Sequence, residues 1–166
     1  MFSFLNREKL IKDDLKGIAK LMYEDVSSDA WDQEYLTKRN LDFSIESVRL
    51  IDRYVKRLLD VEYDTDLLDQ YYDHFIMRLG AYIGEVIRRE LNEDFYWYES
   101  HSVHKFSPDL DKADDGMGTV LYSRKRNELI SPLNAVSQFL KGNPSYTSLL
   151  SYTEKTVNHF QGHHGK

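Results

Sequence analysis

The sequence predicts an α+β fold, mostly helical, with a small antiparallel sheet of about three strands set between N-terminal and C-terminal helices. Three observations predict it. Long stretches before residue 92 repeat apolar residues at steps of three and four. Three short aromatic or branched runs follow between residues 94 and 130. A Ser-Pro start and a Gly-Asn-Pro stop then frame another helix.

Each element has its own signal. A first helix is predicted over residues 6–25, with Asn6 as its N-cap. Leu10, Ile11, Leu15, Ile18, Leu21 and Met22 form its apolar face, and Lys9, Lys12, Lys16 and Lys20 its outer side. Residues 26–43 are less periodic. Ser27-Ser28-Asp29 reads as a turn or cap, and Trp31, Tyr35 and Leu36 as one face of a short helix. Ser44 caps a clearer helix carrying Ile45, Val48, Ile51, Val55, Leu58 and Leu59, which stops near Asp60.

An acidic connection follows, with Asp60, Glu62, Asp64, Asp66, Asp69 and Asp73 and no base among them. Acidic residues in a first turn complement the helix dipole. Thr65 is the expected cap of the longest helix, over residues 66–91. Gly80 and Gly84 lie inside it, and each costs about 1 kcal/mol relative to alanine. That cost calls for the close approach of another element.

After Asn92 the period changes. Residues 94–99, 119–122 and 127–130 read as strands, with 123–126 as the turn of the second hairpin. Residues 101–118 read as a polar loop. Ser131-Pro132 opens a helix to about Lys141, Gly142-Asn143-Pro144 ends it, and a last helix covers residues 145–160. One domain is expected over residues 1–160, with residues 161–166 as a disordered tail.

Composition narrows the function classes. The chain has 166 residues and a net charge of −6; 41% of its residues are hydrophobic and 13% aromatic, with twelve Tyr and eight Phe. That balance is globular. The acidity is concentrated in residues 1–100, with 22 acidic and 14 basic side chains, and it disfavours phosphate backbones, so no nucleic-acid partner is expected. The absence of cysteine removes thiol catalysis and Cys-ligated metal sites. No apolar run approaches a membrane span, no secretory h-region follows Met1, and a cytoplasmic location away from membranes is expected.

Two segments read together. One is Asp42-Phe43-Ser44-Ile45-Glu46-Ser47-Val48-Arg49-Leu50-Ile51-Asp52. The other is Gly80-Ala81-Tyr82-Ile83-Gly84-Glu85-Val86-Ile87-Arg88, with Trp97 after it. The pair resembles small bacterial α+β domains of unknown function, in which a D-F-S-x-x-S-V-x-x-I-D helix precedes a G-x-Y-x-G-E-V-I-R helix and a tryptophan strand. The resemblance spans roughly residues 40–150. It implies a bacterial α+β domain and carries no catalytic residues.

Chemistry-bearing groups are few. Glu85, among apolar neighbours, must be paired or carry a raised pKa if buried. Arg88, Arg89 and Arg49 are its candidate partners, and Tyr82, Glu85 and Trp97 are the candidate pocket residues. The His101–His104 pair and the Asp109–Asp115 run lack the spacing of zinc or calcium motifs, and the His159, His163 and His164 cluster lies at the chain end, so no metal or other cofactor is expected. No nucleophile elbow or phosphate loop occurs, and no catalytic residue is assigned. Arg124-Lys125-Arg126 reads as a hairpin tip.

The segment from Asp60 to Asp73 is the candidate binding surface, with Tyr63, Asp64, Asp66, Asp69, Tyr71 and Tyr72 as its contacts. Tyrosines among carboxylates suit a basic protein partner. The expected function is a non-enzymatic protein-interaction module, of which an immunity-type protein neutralising a toxin is one version. The alternatives are a small-ligand binder or hydrolase-like enzyme at Glu85 and a structural homodimer.

Overall fold

The computed structural model describes residues 8–60, 69–110, 117–142 and 145–162. Helices dominate. In chain order they are α1 (Lys16–Glu24), α2 (Ala30–Tyr35), α3 (Val48–Asp60), α4 (Tyr72–Leu91), α5 (Ser100–Phe106), α6 (Pro132–Leu140) and α7 (Leu149–Gln161). The strands are β1 (Phe95–Glu99), β2 (Thr119–Ser123) and β3 (Glu128–Ile130). A 3₁₀ turn, Ile45–Ser47, leads into α3.

α4 is the axis of the molecule. Every residue from Leu79 to Ile87 is buried, and α1, α6 and α7 pack around it. Its two glycines mark the closest approaches. A Cβ at Gly80 would stand 2.8 Å from Leu133 Cδ1 on α6, and a Cβ at Gly84 would overlap the Trp97 ring on β1. α4 ends at Asn92, which takes a left-handed conformation at φ 47° and turns the chain into β1.

The sheet order is β1–β2–β3, antiparallel throughout, with Trp97 opposite Leu121 and Leu121 opposite Ile130. Alternation along the strands builds two apolar layers. Phe95, Trp97, Leu121 and Ile130 join the helical core. Tyr98, Val120 and Tyr122 point the other way and form a smaller cluster with Leu10 and Val103 of α5.

The N-terminal expectation needs correcting. The first helix runs only over Lys16–Glu24. Residues 10–13 are extended and lie along the free edge of β1. Glu99 N–H donates to the Ile11 carbonyl at 2.8 Å, Asp13 N–H donates to the Trp97 carbonyl at 3.2 Å, and Lys12 bridges Tyr98. β1 would otherwise leave those backbone groups unpaired, and their demand outweighs the local helical spacing. The polar loop after β1 is corrected too, because its first residues form α5. The last helix begins at Leu149, where the Ser148 hydroxyl accepts from Ser151 N–H and the Asp52 carboxylate accepts from Leu149 and Leu150 N–H at 2.8 and 3.0 Å. Asn6, Thr65, His163 and His164 lie outside the described residues.

Candidate binding groove

The sequence-derived pocket residues do not converge on one cavity. Tyr82 is fully buried in the helical core. Its hydroxyl accepts from Phe43 N–H at 3.1 Å and shares a 2.7 Å hydrogen bond with the Ser47 hydroxyl. Its ring stacks on Phe43 at 4.7 Å, and the Arg89 guanidinium lies 4.0 Å from the Phe43 centroid. Burial pushes the Tyr82 hydroxyl pKa up to about 12, with the Ser47 and Phe43 hydrogen bonds acting against it.

Glu85 faces another direction. Its side chain is 4% exposed, and one oxygen, Oε1, accepts from Arg88 Nη1 at 2.9 Å and from Trp97 Nε1 at 3.0 Å. Arg88 also donates through Nε to the Phe95 carbonyl at 2.9 Å. Of the three candidate partners, Arg88 pairs with Glu85. Arg49 pairs with Glu46, and Arg89 stacks on Phe43. The Glu85–Arg88–Trp97 link ties α4 to β1, and a buried pair held by a third donor satisfies the desolvated charge.

The acidic, tyrosine-rich surface is only partly described. Tyr63, Asp64 and Asp66 lie outside the described residues. Asp69 and Tyr71 are exposed. Tyr72 turns inward: it packs on the helical core, its hydroxyl lies 2.9 Å from the Ser137 hydroxyl, and Lys141 lies over its ring. His101 and His104 sit on α5, the first exposed and the second buried. Among the described residues, no group of three His, Asp or Glu side chains is placed to hold a metal ion.

The structure assembles a different surface, around Tyr96. On β1, Trp97 enters the core, so Tyr96 projects from the opposite face. A groove of about 740 Å³ runs between residues 9–12 and the β1–β2 ribbon, lined by Lys9, Ile11, Lys12, Tyr96, Tyr98 and Arg124 among others. Ile11 is 49% exposed and Tyr96 45%, two of the four large apolar side chains most open to solvent among the described residues. Lys12 and Arg88 lie over the Tyr96 ring at 5.5 and 5.4 Å, and Arg124 lies 5.4 Å from the Phe106 centroid. Each such contact contributes about 0.5–1 kcal/mol at an exposed site. They hold the cations beside the apolar floor.

Charge in this groove is one-sided. Lys9, Lys12 and Arg124 pair with no carboxylate among the described residues. Asp94, the one acid lining the groove among the described residues, accepts from the Ser123 hydroxyl at 2.6 Å and from Lys125 N–H at 3.1 Å. Across the Tyr96 ridge lies a second cleft of about 430 Å³ that adds Lys16, Arg88 and Arg89. Its acids are engaged as well: Glu85 with Arg88, Glu93 with Arg126 through two bonds of 2.6 and 2.8 Å, and Asp14 with Lys16 N–H. A basic, aromatic-floored patch thus sits on a chain of net charge −6.

Sequence reading missed this surface because Lys12 was assigned to a helix face and Arg124 to a solvated tip. One signal was available: the run Phe95-Tyr96-Trp97-Tyr98 alternates, so the face opposite Trp97 must carry Tyr96 and Tyr98. Compared with protein-family models, with curated proteins and with solved structures, the chain finds no match. Among the described residues, no helix is long and apolar enough to cross a membrane.

Proposed function

We propose that this chain is a non-enzymatic protein-interaction module that binds its partner through the Tyr96 groove. The observation that carries this reading is the meeting of two exposed apolar side chains, Ile11 and Tyr96, with three cations that have no carboxylate partner among the described residues. Exposed apolar patches rimmed by polar groups mark interaction sites, and aromatic residues and arginine are enriched at protein interfaces.

A second line of support comes from the residues that resemble the bacterial domains of unknown function. Their polar groups have structural duties. Asp42 accepts from the Ser44 backbone and hydroxyl, Ser44 accepts from Ser47 N–H, Ser47 meets Tyr82, Asp52 caps α7, and Glu85 joins Arg88 to Trp97. Those residues build the fold, which leaves recognition to side chains outside the two segments. A catalytic role for Glu85 draws no support from an oxygen already shared by two donors.

Affinity capture from the source organism's lysate, with wild type, Tyr96→Ala and Glu85→Gln run in parallel, tests the proposal. Wild type is expected to retain a protein at low salt. Glu85→Gln is expected to retain it equally, and Tyr96→Ala to lose most of it. Equal retention by Tyr96→Ala would overturn the reading.

A further inference from the structure

Resting on that reading, we infer that the Tyr96 groove takes an acidic segment of the partner protein, one that carries aromatic or large apolar side chains between its carboxylates. The apolar side chain lies on Tyr96 and Ile11, and the carboxylates reach Lys9, Lys12 and Arg124.

The sign of the charge decides the occupant. A basic segment would meet three cations against one carboxylate among the described lining residues, Asp94, which already accepts from the Ser123 hydroxyl and the Lys125 backbone N–H. Like charges in juxtaposition work against such a complex, whereas carboxylates answer cations that the described residues leave unmatched. The aromatic part of the ligand follows from the floor. Ile11 and Tyr96 stay about half exposed although the rest of β1 and residue Leu10 bury their apolar side chains. A purely anionic ligand would leave that apolar area in water.

The overall charge of −6 sets the selectivity. A long polyanion feels the whole acidic molecule, and its attraction to the patch is offset by repulsion elsewhere. A short acidic segment lying within the groove feels mainly the nearby cations, because charges farther than about 10 Å are screened at ordinary ionic strength. The excess of positive charge is confined to the groove side of Tyr96. Across the ridge Lys16, Arg88 and Arg89 stand beside Asp14, Glu85 and Glu93, so the segment's carboxylates are expected on the Lys9, Lys12 and Arg124 side.

The test uses the full chain and three fluorescent synthetic peptides of equal length. One alternates glutamate with tryptophan and phenylalanine, one has lysine in place of glutamate, and one has serine in place of the aromatics. Anisotropy titrations at about 0.1 M salt, where charges outside the groove are screened, should rank the acidic aromatic peptide first. Tyr96→Ala should weaken it about fivefold or more. The Lys12→Glu/Arg124→Glu double variant should weaken it about tenfold or more and improve binding of the lysine peptide. All three positions are exposed, and unchanged near-UV circular dichroism checks that the variants stay folded.

Equal binding of the acidic and lysine peptides overturns the proposal, as does equal binding of the acidic peptide by wild type and variants. An oligothymidylate that binds more tightly than the acidic peptide and displaces it also overturns it, and assigns the groove to nucleic acid. The captured partner separates this proposal from the reading beneath it. A protein whose retention depends on Tyr96 but that the acidic peptide does not displace preserves the interaction module and rejects the acidic occupant. Retention independent of Tyr96 overturns both, even with peptide binding intact.

Discussion

Tyr82 and Glu85 lie three residues apart on α4, and both bury a polar group by giving it protein partners. For Tyr82 the burial has a consequence with pH. The Tyr82 hydroxyl is raised from its ordinary value near 10 to about 12, mainly by desolvation. The unfolded chain therefore loses this proton first. The sign follows from linkage: the stability this tyrosine contributes is complete below about pH 10 and is lost as the pH climbs towards 12. Urea midpoints measured at rising alkaline pH should fall over that interval. Tyr82→Phe should make the fall shallower without abolishing it, because burial also raises Tyr54 to about 12. An unchanged slope in the variant would show that Tyr82 is not held protonated by burial. That Glu85 needs a partner was legible in the sequence, since a carboxylate in an apolar helix face must be satisfied. Which arginine satisfies it was not, because Arg88, Arg89 and Arg49 all lay within plausible reach of a helix whose neighbours were unknown.

Among the elements, α4 shows how a helix can carry weak helix formers for the sake of packing. Gly84 is the contact point with Trp97, and Gly17 in α1 has nothing within 4 Å of an added Cβ. The same substitution should therefore have opposite signs at the two sites. Gly17→Ala should raise stability by about 0.5–1 kcal/mol through helix propensity and a less flexible unfolded chain. Gly84→Ala should lower it by about 1–3 kcal/mol, because the methyl overlaps an indole held on its far side by the core. Urea denaturation of the two variants checks this, and matching signs would mean that Trp97 can give way. Helix and strand positions were readable where one period ran for several turns, as in α3 and α4, or where aromatic residues clustered, as in β1. The segment before α1 was not. Leu10, Ile11, Leu15 and Ile18 have helical spacing, yet Leu10 is buried and Ile11 exposed in an extended run. The free edge of β1 recruits that run, and no local window contains both partners.

Over the whole molecule, the core is continuous from α1 through α4 to α7, and the sheet shares its strands between this core and the smaller cluster around Tyr98. Both tryptophans belong to the larger core, Trp97 within it and Trp31 packed against it. Secondary structure and tryptophan environment should therefore be lost together. Far-ultraviolet circular dichroism and tryptophan fluorescence should give coincident thermal transitions, the behaviour of one cooperative unit. Separated midpoints would divide the chain into parts that fold independently.

By itself, the sequence determined the fold class, the strand-rich stretch between helices, the long helix before it and the need for close contacts at that helix's glycines. These follow from periodicity and from the intrinsic cost of particular residues, which act over a few positions along the chain. Only the tertiary structure decided that residues 10–13 join the sheet, that Glu85 binds Arg88 and Trp97, and that Lys9, Lys12, Ile11, Tyr96 and Arg124 share one groove. Each of those outcomes brings together groups distant in sequence, through backbone pairing or charge that no short window contains. The run of carboxylates and tyrosines from Asp60 to Asp73 pointed to a basic partner, because charges close along the chain can be counted without the fold. The acidic occupant proposed for the groove rests instead on charges that the fold gathers within a screening length.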